Sequence, residues 1–355
     1  MKDTYNVIGL MSGTSLDGLD IAYCSFTHKK DKWKFSIIAA DTVAYPNKWL
    51  KKLQCAPALS GLELLKLHNE YGTYLGEQVA GFIKKRKIKN IDFVSSHGHT
   101  IFHQPKEKFT FQLGNGAAIA VASKQTVIND FRSLDVALNG QGAPLVPIGD
   151  MLLFSEYQYC INLGGFANIS FSKKGKCIAF DICPVNIALN YLAQTFGKEY
   201  DKNGAIAAKG KTDKNLLHKL NTLSFYKAAP PKSLGREWLE NEFLPVLNKA
   251  TCSNTDKLTT VVEHITMQIG KVFEGQAKGN ILLTGGGAFN SYLIDQLRIS
   301  LRGFNIIVPE ENIVKYKEAL VFAFLGVLRQ REEVNCLSSV TGADRNNKGG
   351  TIWLI

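Results

Sequence analysis

None of the seven cysteines sits in a C-x-x-C spacing, which removes zinc-ribbon and thioredoxin-like readings. Their odd number and the apolar, strand-like setting of several fit buried thiols in a reducing compartment. No apolar run is long enough to cross a bilayer, residues 319–328 being the longest strongly apolar stretch. The opening MKDTYNVIGL carries Asp3 and no apolar signal core, so a soluble, cytoplasmic protein without a membrane partner is expected. Acidic residues are in deficit, 31 against 42 Lys and Arg, giving +11 at pH 7. The excess is mostly dispersed lysine. Its densest cluster, Lys84, Lys85, Arg86, Lys87 and Lys89, has no interleaved aromatics and reads as a solvated helix end, not a nucleic-acid surface.

What is present is ordinary globular material, 45% hydrophobic and 21% charged, in 355 residues, a length that favours two domains sharing a cleft. A collagen, a coiled coil and a disulfide miniprotein are excluded. Two segments repeat one design. The first runs YNVIGL, a turn at residues 11–18, DIAYCSF, a lysine-rich turn and KFSIIAAD, ending at Asp41. The second runs YQYCINL, a turn at Gly164 and Gly165, ANISF, a turn at residues 173–175 and KCIAFD, ending at Asp181. Each reads as a three-stranded antiparallel meander. Helix-compatible stretches follow at residues 62–83 and 185–196, giving two β-then-α lobes. The turn-rich NGQGAPLVP, residues 139–147, is expected to mark the crossing between them. The first lobe is expected to comprise residues 1–130 with 337–355, and the second residues 131–336.

Three glycine-bearing turns carry the candidate chemistry. GLMSGTSLDGLD, residues 9–20, offers backbone N–H donors and the hydroxyls of Ser12, Thr14 and Ser15 to phosphate oxygens. Asp17 and Asp20 are placed to hold hydrated Mg²⁺. Alone, this segment reads equally well as a plain hairpin corner at Asp17 and Gly18. NLGGFANIS, residues 162–170, occupies the matching point of the second meander, so two turns would clamp one polyphosphate. ILLTGGGAFNSYLIDQL, with Gly285, Gly286 and Gly287, reads as strand, glycine turn and helix, the arrangement that brings backbone N–H groups to a nucleotide. These glycines do not form G-x-G-x-x-G, and GAIAAKGKT at residues 204–212 has one residue too many for a P-loop.

Asp181 stands at the end of a strand before Pro184, and Asn186 is placed to cap the next helix. Glu318 interrupts an apolar helix face expected over residues 316–331. His97, His99 and His103 lie close together in SSHGHTIFHQP, but no cysteine or acid completes a zinc set, and a polar, sugar-facing loop is the better reading. Arg132, in NDFRSLD, can grip a carboxylate bidentately or serve in a salt bridge.

These segments, with YDKNGAIAAKG and PPKSLGREW, resemble the anhydro-N-acetylmuramic acid kinases over nearly the whole chain, within the actin, Hsp70 and hexokinase-like ATPase superfamily. The resemblance implies an α/β, two-lobed actin-like ATPase (ribonuclease-H-like) fold with an interlobe cleft. It implies an ATP- and Mg²⁺-dependent enzyme that opens 1,6-anhydro-N-acetylmuramic acid with water and phosphorylates O6, giving N-acetylmuramic acid 6-phosphate in cell-wall recycling. A homodimer is also implied. By the same resemblance Gly13, Thr14, Ser15, Leu16, Asp17, Gly18, Leu19 and Asp20 form the ATP segment; the reading of the two later turns adds Asn162, Gly164, Gly165, Gly285, Gly286 and Gly287 as nucleotide contacts. Asp181 is the catalytic aspartate and Glu318 an acid near the sugar, with His97, Arg132 and Asn186 on the substrate side. Where the family commonly reads D-T-G-P-G-N, this chain has Cys183 and Val185 for the two glycines, so backbone approach to the sugar is expected to differ. His99 replaces a frequent glutamine of the H-G-Q-T segment. The rival readings are a kinase acting on an ordinary sugar hydroxyl and a nucleotide-gated switch.

Overall fold

The computed structural model describes residues 2–355. Twelve strands form two sheets. The first sheet contains β1 (Thr4–Ser12), β2 (Leu19–Lys29), β3 (Lys32–Val43), β4 (Phe93–Gln104), β5 (Phe109–Leu113), β6 (Val127–Asn129) and, from the far end of the chain, β12 (Thr351–Trp353). The second contains β7 (Tyr159–Leu163), β8 (Phe166–Lys173), β9 (Lys176–Pro184), β10 (Asn280–Thr284) and β11 (Asn305–Ile307). Both expected meanders are present: β1, β2 and β3 pair antiparallel, and so do β7, β8 and β9.

Parallel strands extend each meander from its first strand, β4 and β6 beside β1, and β10 and β11 beside β7. The common core order is therefore third, second, first, fourth, fifth strand in both sheets. This is the ribonuclease-H-like plan of the actin-like ATPases, present twice in one α/β chain. Its strands are rich in β-branched and aromatic residues, and the parallel strands β4, β6 and β10 carry consecutive buried residues, as helix-covered strands must.

In the first unit, helix Gly61–Arg86 lays Leu67, Tyr71, Leu75, Val79 and Phe82 against Ile8, Leu10 and Val94 of the sheet. A capping box of Ser60 and Glu63 starts this helix. The basic cluster forms its last turn, where Lys85 and Arg86 pair with Asp41 at 3.0 and 2.7 Å, as a solvated helix end should. Helix Glu311–Gln330 is seated by small residues. A Cβ on Gly9 would lie 2.0 Å from the Ala319 carbonyl oxygen, and one on Gly326 would lie 2.6 Å from Ser95 Oγ. In the second unit, helices Asn186–Ala193 and Asn254–Val272 bury Leu189, Leu192, Val261, Val262, Ile265 and Ile269 with the strand residues Ile161, Ile169, Ile182 and Leu283. Cys24, Cys160, Cys177, Cys183 and Cys336 are buried cysteines outside any disulfide, whereas Cys55 is exposed.

The compact units are residues 1–153 with 316–355, and residues 154–315. This division differs from the sequence-based one, which assigned residues 131–153 and 316–336 to the second lobe. NGQGAPLVP lies wholly inside the first unit. Hydrogen bonds supply the reason: Arg132 reaches His97, Ser95 Oγ donates to the Phe322 carbonyl, and the buried Asp135 accepts from Thr341 and Asn347.

Candidate functional site

The first turn spans residues 13–18, where β1 hands over to β2. Leu16 closes it with an N–H bond to the Gly13 carbonyl at 3.2 Å and adopts a positive φ of 61°. Gly18 is required by its φ of 153° and because a Cβ would meet the Val43 carbonyl oxygen at 2.8 Å. Thr14, Ser15 and Asp17 are exposed, as a ligand-facing turn requires. One expectation is corrected: the Ser12 hydroxyl, expected to face phosphate oxygens, is buried and engaged with Tyr45 and His99. The Leu19 side chain is 1% exposed and belongs to the apolar core. Asp20 lies in β2, half-buried, accepting from Thr42 Oγ1 at 2.6 Å. Burial raises its carboxyl, and Asp17 adds to the rise.

Arg132, His97 and Glu318 form the charged side of the first unit. Arg132 donates to His97 Nε2 from Nε at 3.1 Å and from the neighbouring terminal nitrogen at 2.9 Å, and to the Gly142 carbonyl at 2.6 Å. His97 Nδ1 sits 2.9 Å from the Gly98 carbonyl, which only accepts, so Nδ1 carries the proton and Nε2 the lone pair. Burial, with the Arg132 charge beside it, drives the imidazole well below its usual range and keeps it neutral. Burial brings Arg132 down to about 10, with Glu318 opposing the fall. Glu318 itself is reached by solvent, yet the surrounding protein raises its carboxyl, Asp20 adding to the rise and Arg132 and Lys317 offsetting it. His99 and His103 bond to Ser12 and Thr110, so the three histidines serve separate hydrogen bonds. No group of three metal-ligating side chains occurs among the described residues. A cavity of about 180 Å³ in the same unit is lined by His68, His97, Gln112, Asn129, Asp130 and Ser133, a set suited to hydroxyl and amide groups.

The second unit brings its expected glycine segments together. Gly164 and Gly165 form the tight corner between β7 and β8. Asn186 does not cap its helix: Val185 occupies the cap position without a side-chain bond, and Asn186 Nδ2 donates to the Leu163 carbonyl at 3.0 Å. Gly285 passes so close to β7 that a Cβ would be 2.5 Å from Asn162 Oδ1, and one on Gly287 would be 2.8 Å from Leu163 Cβ. Gly285, Gly286, Gly164 and Asn162 therefore cluster around the end of β7, with Asn186 bracing them. The helix after the triple glycine begins only at Ser291, capped by Asn290, and a short 3-10 turn that takes in Gly286 and Gly287 precedes it.

Asp181 lies within β9, opposite Asn168, and the strand continues to Pro184 through a register shift, so the aspartate does not end it. Its backbone N–H donates to the Lys232 carbonyl at 3.0 Å, and its Oδ2 accepts the Leu234 N–H at 2.8 Å. Oδ1 has no hydrogen bond among the described residues. Burial raises this carboxyl, the Leu234 N–H opposing the rise. The contacts from Lys232 and Leu234 were not anticipated, although they lie in the family-like segment PPKSLGREW. Cys183 and Val185 are fully buried in the apolar core of this unit.

The family model described as anhydro-N-acetylmuramic acid kinase matches residues 5–354. An anhydro-N-acetylmuramic acid kinase of Shewanella oneidensis is 35% identical over 95% of both chains, and one of Bacillus thuringiensis is 32% identical over 98% of both. Among solved structures, component A of the (R)-2-hydroxyglutaryl-CoA dehydratase of Acidaminococcus fermentans aligns over 90% of this chain and 96% of its own, with 14% identity and a TM-score of 0.46. With both sequence comparisons spanning the chain almost from end to end, the protein belongs to the anhydro-N-acetylmuramic acid kinase family.

Proposed function

We propose that the protein is an ATP-dependent kinase that opens 1,6-anhydro-N-acetylmuramic acid with water and phosphorylates O6, yielding N-acetylmuramic acid 6-phosphate for cell-wall recycling in the cytoplasm. The observation that carries this reading is the family match over residues 5–354. Asp181 is the general base: Leu234 fixes one carboxylate oxygen, which leaves Oδ1 for the water that attacks the anomeric carbon. The C1–O6 bond breaks as water adds at C1 and gives its proton to Asp181, and O6 takes the γ-phosphoryl group as the bond from that phosphorus to the β-phosphate oxygen breaks and ADP leaves. Ordinary glycosidases need a carboxylic acid to protonate the leaving oxygen, whereas phosphorus accepts it here. Glu318, Arg132 and His97 are assigned to the sugar, the neutral His97 holding the guanidinium in place.

For ATP, the exposed Thr14 and Ser15 and the N–H groups of residues 13–18 are assigned to phosphate oxygens, as are the glycine corners around Asn162 in the second unit. Asp17 and Asp20 suit a hydrated Mg²⁺: no ion pair reaches either among the described residues, and their mutual repulsion is the field a divalent cation relieves. Bound there, Mg²⁺ supplies neutralising charge for the phosphates. A homodimer is proposed from family resemblance alone. Mass spectrometry of the product from ATP and the anhydro sugar tests the function. The expected product gains one water and one phosphoryl group; a phosphorylated sugar that retains the anhydro bridge, or no phosphorylated sugar, overturns it.

A further inference from the structure

Four buried side chains from four elements line up behind the first turn. Tyr71 comes from helix Gly61–Arg86, Tyr45 from the segment after β3, Ser12 from the last position of β1, and His99 from β4. Their exposures are 0, 6, 2 and 4%. Tyr45 OH donates to Ser12 Oγ at 2.7 Å, the Tyr45 and Tyr71 hydroxyls are 2.7 Å apart, and Ser12 Oγ is 2.8 Å from His99 Nδ1. With the single hydrogen of Tyr45 spent on Ser12, Tyr71 must donate to Tyr45, and the hydrogen of Ser12 is left for His99.

The backbone ladder between β1 and β4 shifts register between Leu10 and Ser12, so the side-chain bond from Ser12 to its cross-strand partner His99 holds β1 where the ladder becomes irregular. Gly13 and the turn follow at once. We propose that Tyr71, Tyr45, Ser12 and His99 form one oriented hydrogen-bond chain that positions the phosphate-binding turn, with His99 as its terminal acceptor. These are positioning residues, and the inference rests on the nucleotide role given to that turn above. Burial brings His99 down to about 4, so its ring is neutral at pH 7 and Nδ1 is free to accept. A glutamine at this position, as the family resemblance has it, offers an amide oxygen for the same bond.

The test is calorimetric titration of the full chain with ATP and Mg²⁺. Tyr45→Phe and His99→Leu should each raise the ATP dissociation constant about tenfold, the change expected from losing one buried hydrogen bond. Their combination should add little, because each breaks the same chain. His99→Gln should bind like the wild type. Tyr74 provides the control, because it packs beside Tyr45 and its buried hydroxyl has no hydrogen-bond partner among the described residues; Tyr74→Phe should leave affinity unchanged. In turnover, the KM for ATP should rise while that for sugar stays. Unchanged affinity in Tyr45→Phe and His99→Leu, or equal loss in Tyr74→Phe, overturns the proposal. Tyr45→Phe removes a single oxygen atom and carries the test if His99→Leu does not fold. A wild type that binds ATP but turns over no anhydro sugar overturns the proposed function and leaves these affinities to judge the chain. Absence of ATP binding by the wild type overturns both.

Discussion

Asp181 combines a fixed oxygen, a free one and a raised pKa, and the last has a sign that can be measured. A base works only when deprotonated, so turnover should fall with decreasing pH through the raised value, above the ordinary aspartate value of 3.8. A kcat profile whose Asp181-dependent acidic limb lies at or below 3.8 would contradict the assignment. Asp181→Asn should cost about 10²- to 10⁴-fold in kcat while ATP affinity survives; near-normal turnover removes Asp181 from the role. Thr14, Ser15 and Asp17 were legible as residues of an exposed turn. The burial of Ser12 and Leu19 was not, because both belong to strand positions whose side chains turn inward, and the exact ends of a strand are poorly marked in sequence. Cys183 and Val185 look like obstacles when read as replaced glycines, yet both side chains enter the core.

At the level of elements, helix Glu311–Gln330 is set by contact with glycine and by one buried ion pair. Gly9→Ala would press a methyl group against the Ala319 carbonyl and should cost about 1–3 kcal/mol, read from the urea midpoint. Because Glu318 precedes Ala319, turnover should fall as well; unchanged stability and turnover would show that the helix yields freely. Lys317 and Asp150 pair at 2.7 Å with side chains only 6 and 8% exposed. Lys317→Met, which removes one member of this buried pair, should cost about 3–5 kcal/mol, and replacing both partners by apolar residues should recover much of it. Equal losses in the single and double variants would refute that coupling. The meanders, the glycine corners and the long helices were readable because alternation and turn chemistry are local signals. The ion pair, the Arg132–His97 bond and the Lys232 and Leu234 contacts to Asp181 join residues distant in sequence, and only packing places them.

For the molecule as a whole, the sequence revealed a duplicated β-then-α plan but put the boundary too early. Turn-forming composition at residues 139–147 looks like a linker, whereas those residues are tied to the first unit through Asp135, whose Oδ2 accepts the Gly142 N–H at 2.8 Å. The first unit is interrupted: the chain leaves it after Leu153 and rejoins it at Tyr316. The part of helix Glu311–Gln330 from Tyr316 on, which buries Leu320, Phe322, Phe324 and Leu325, and edge strand β12 both follow the interruption. A chain cut after residue 315 should therefore keep a protease-resistant second unit and lose the first; limited proteolysis that finds both protected would refute this dependence. The order of synthesis carries the same consequence. On the ribosome the inserted half is complete and free to fold while the amino-terminal half, made earlier, still waits for its covering helix, so the usual first-made, first-folded sequence is reversed and the nascent sheet needs shielding until residues 316–355 emerge.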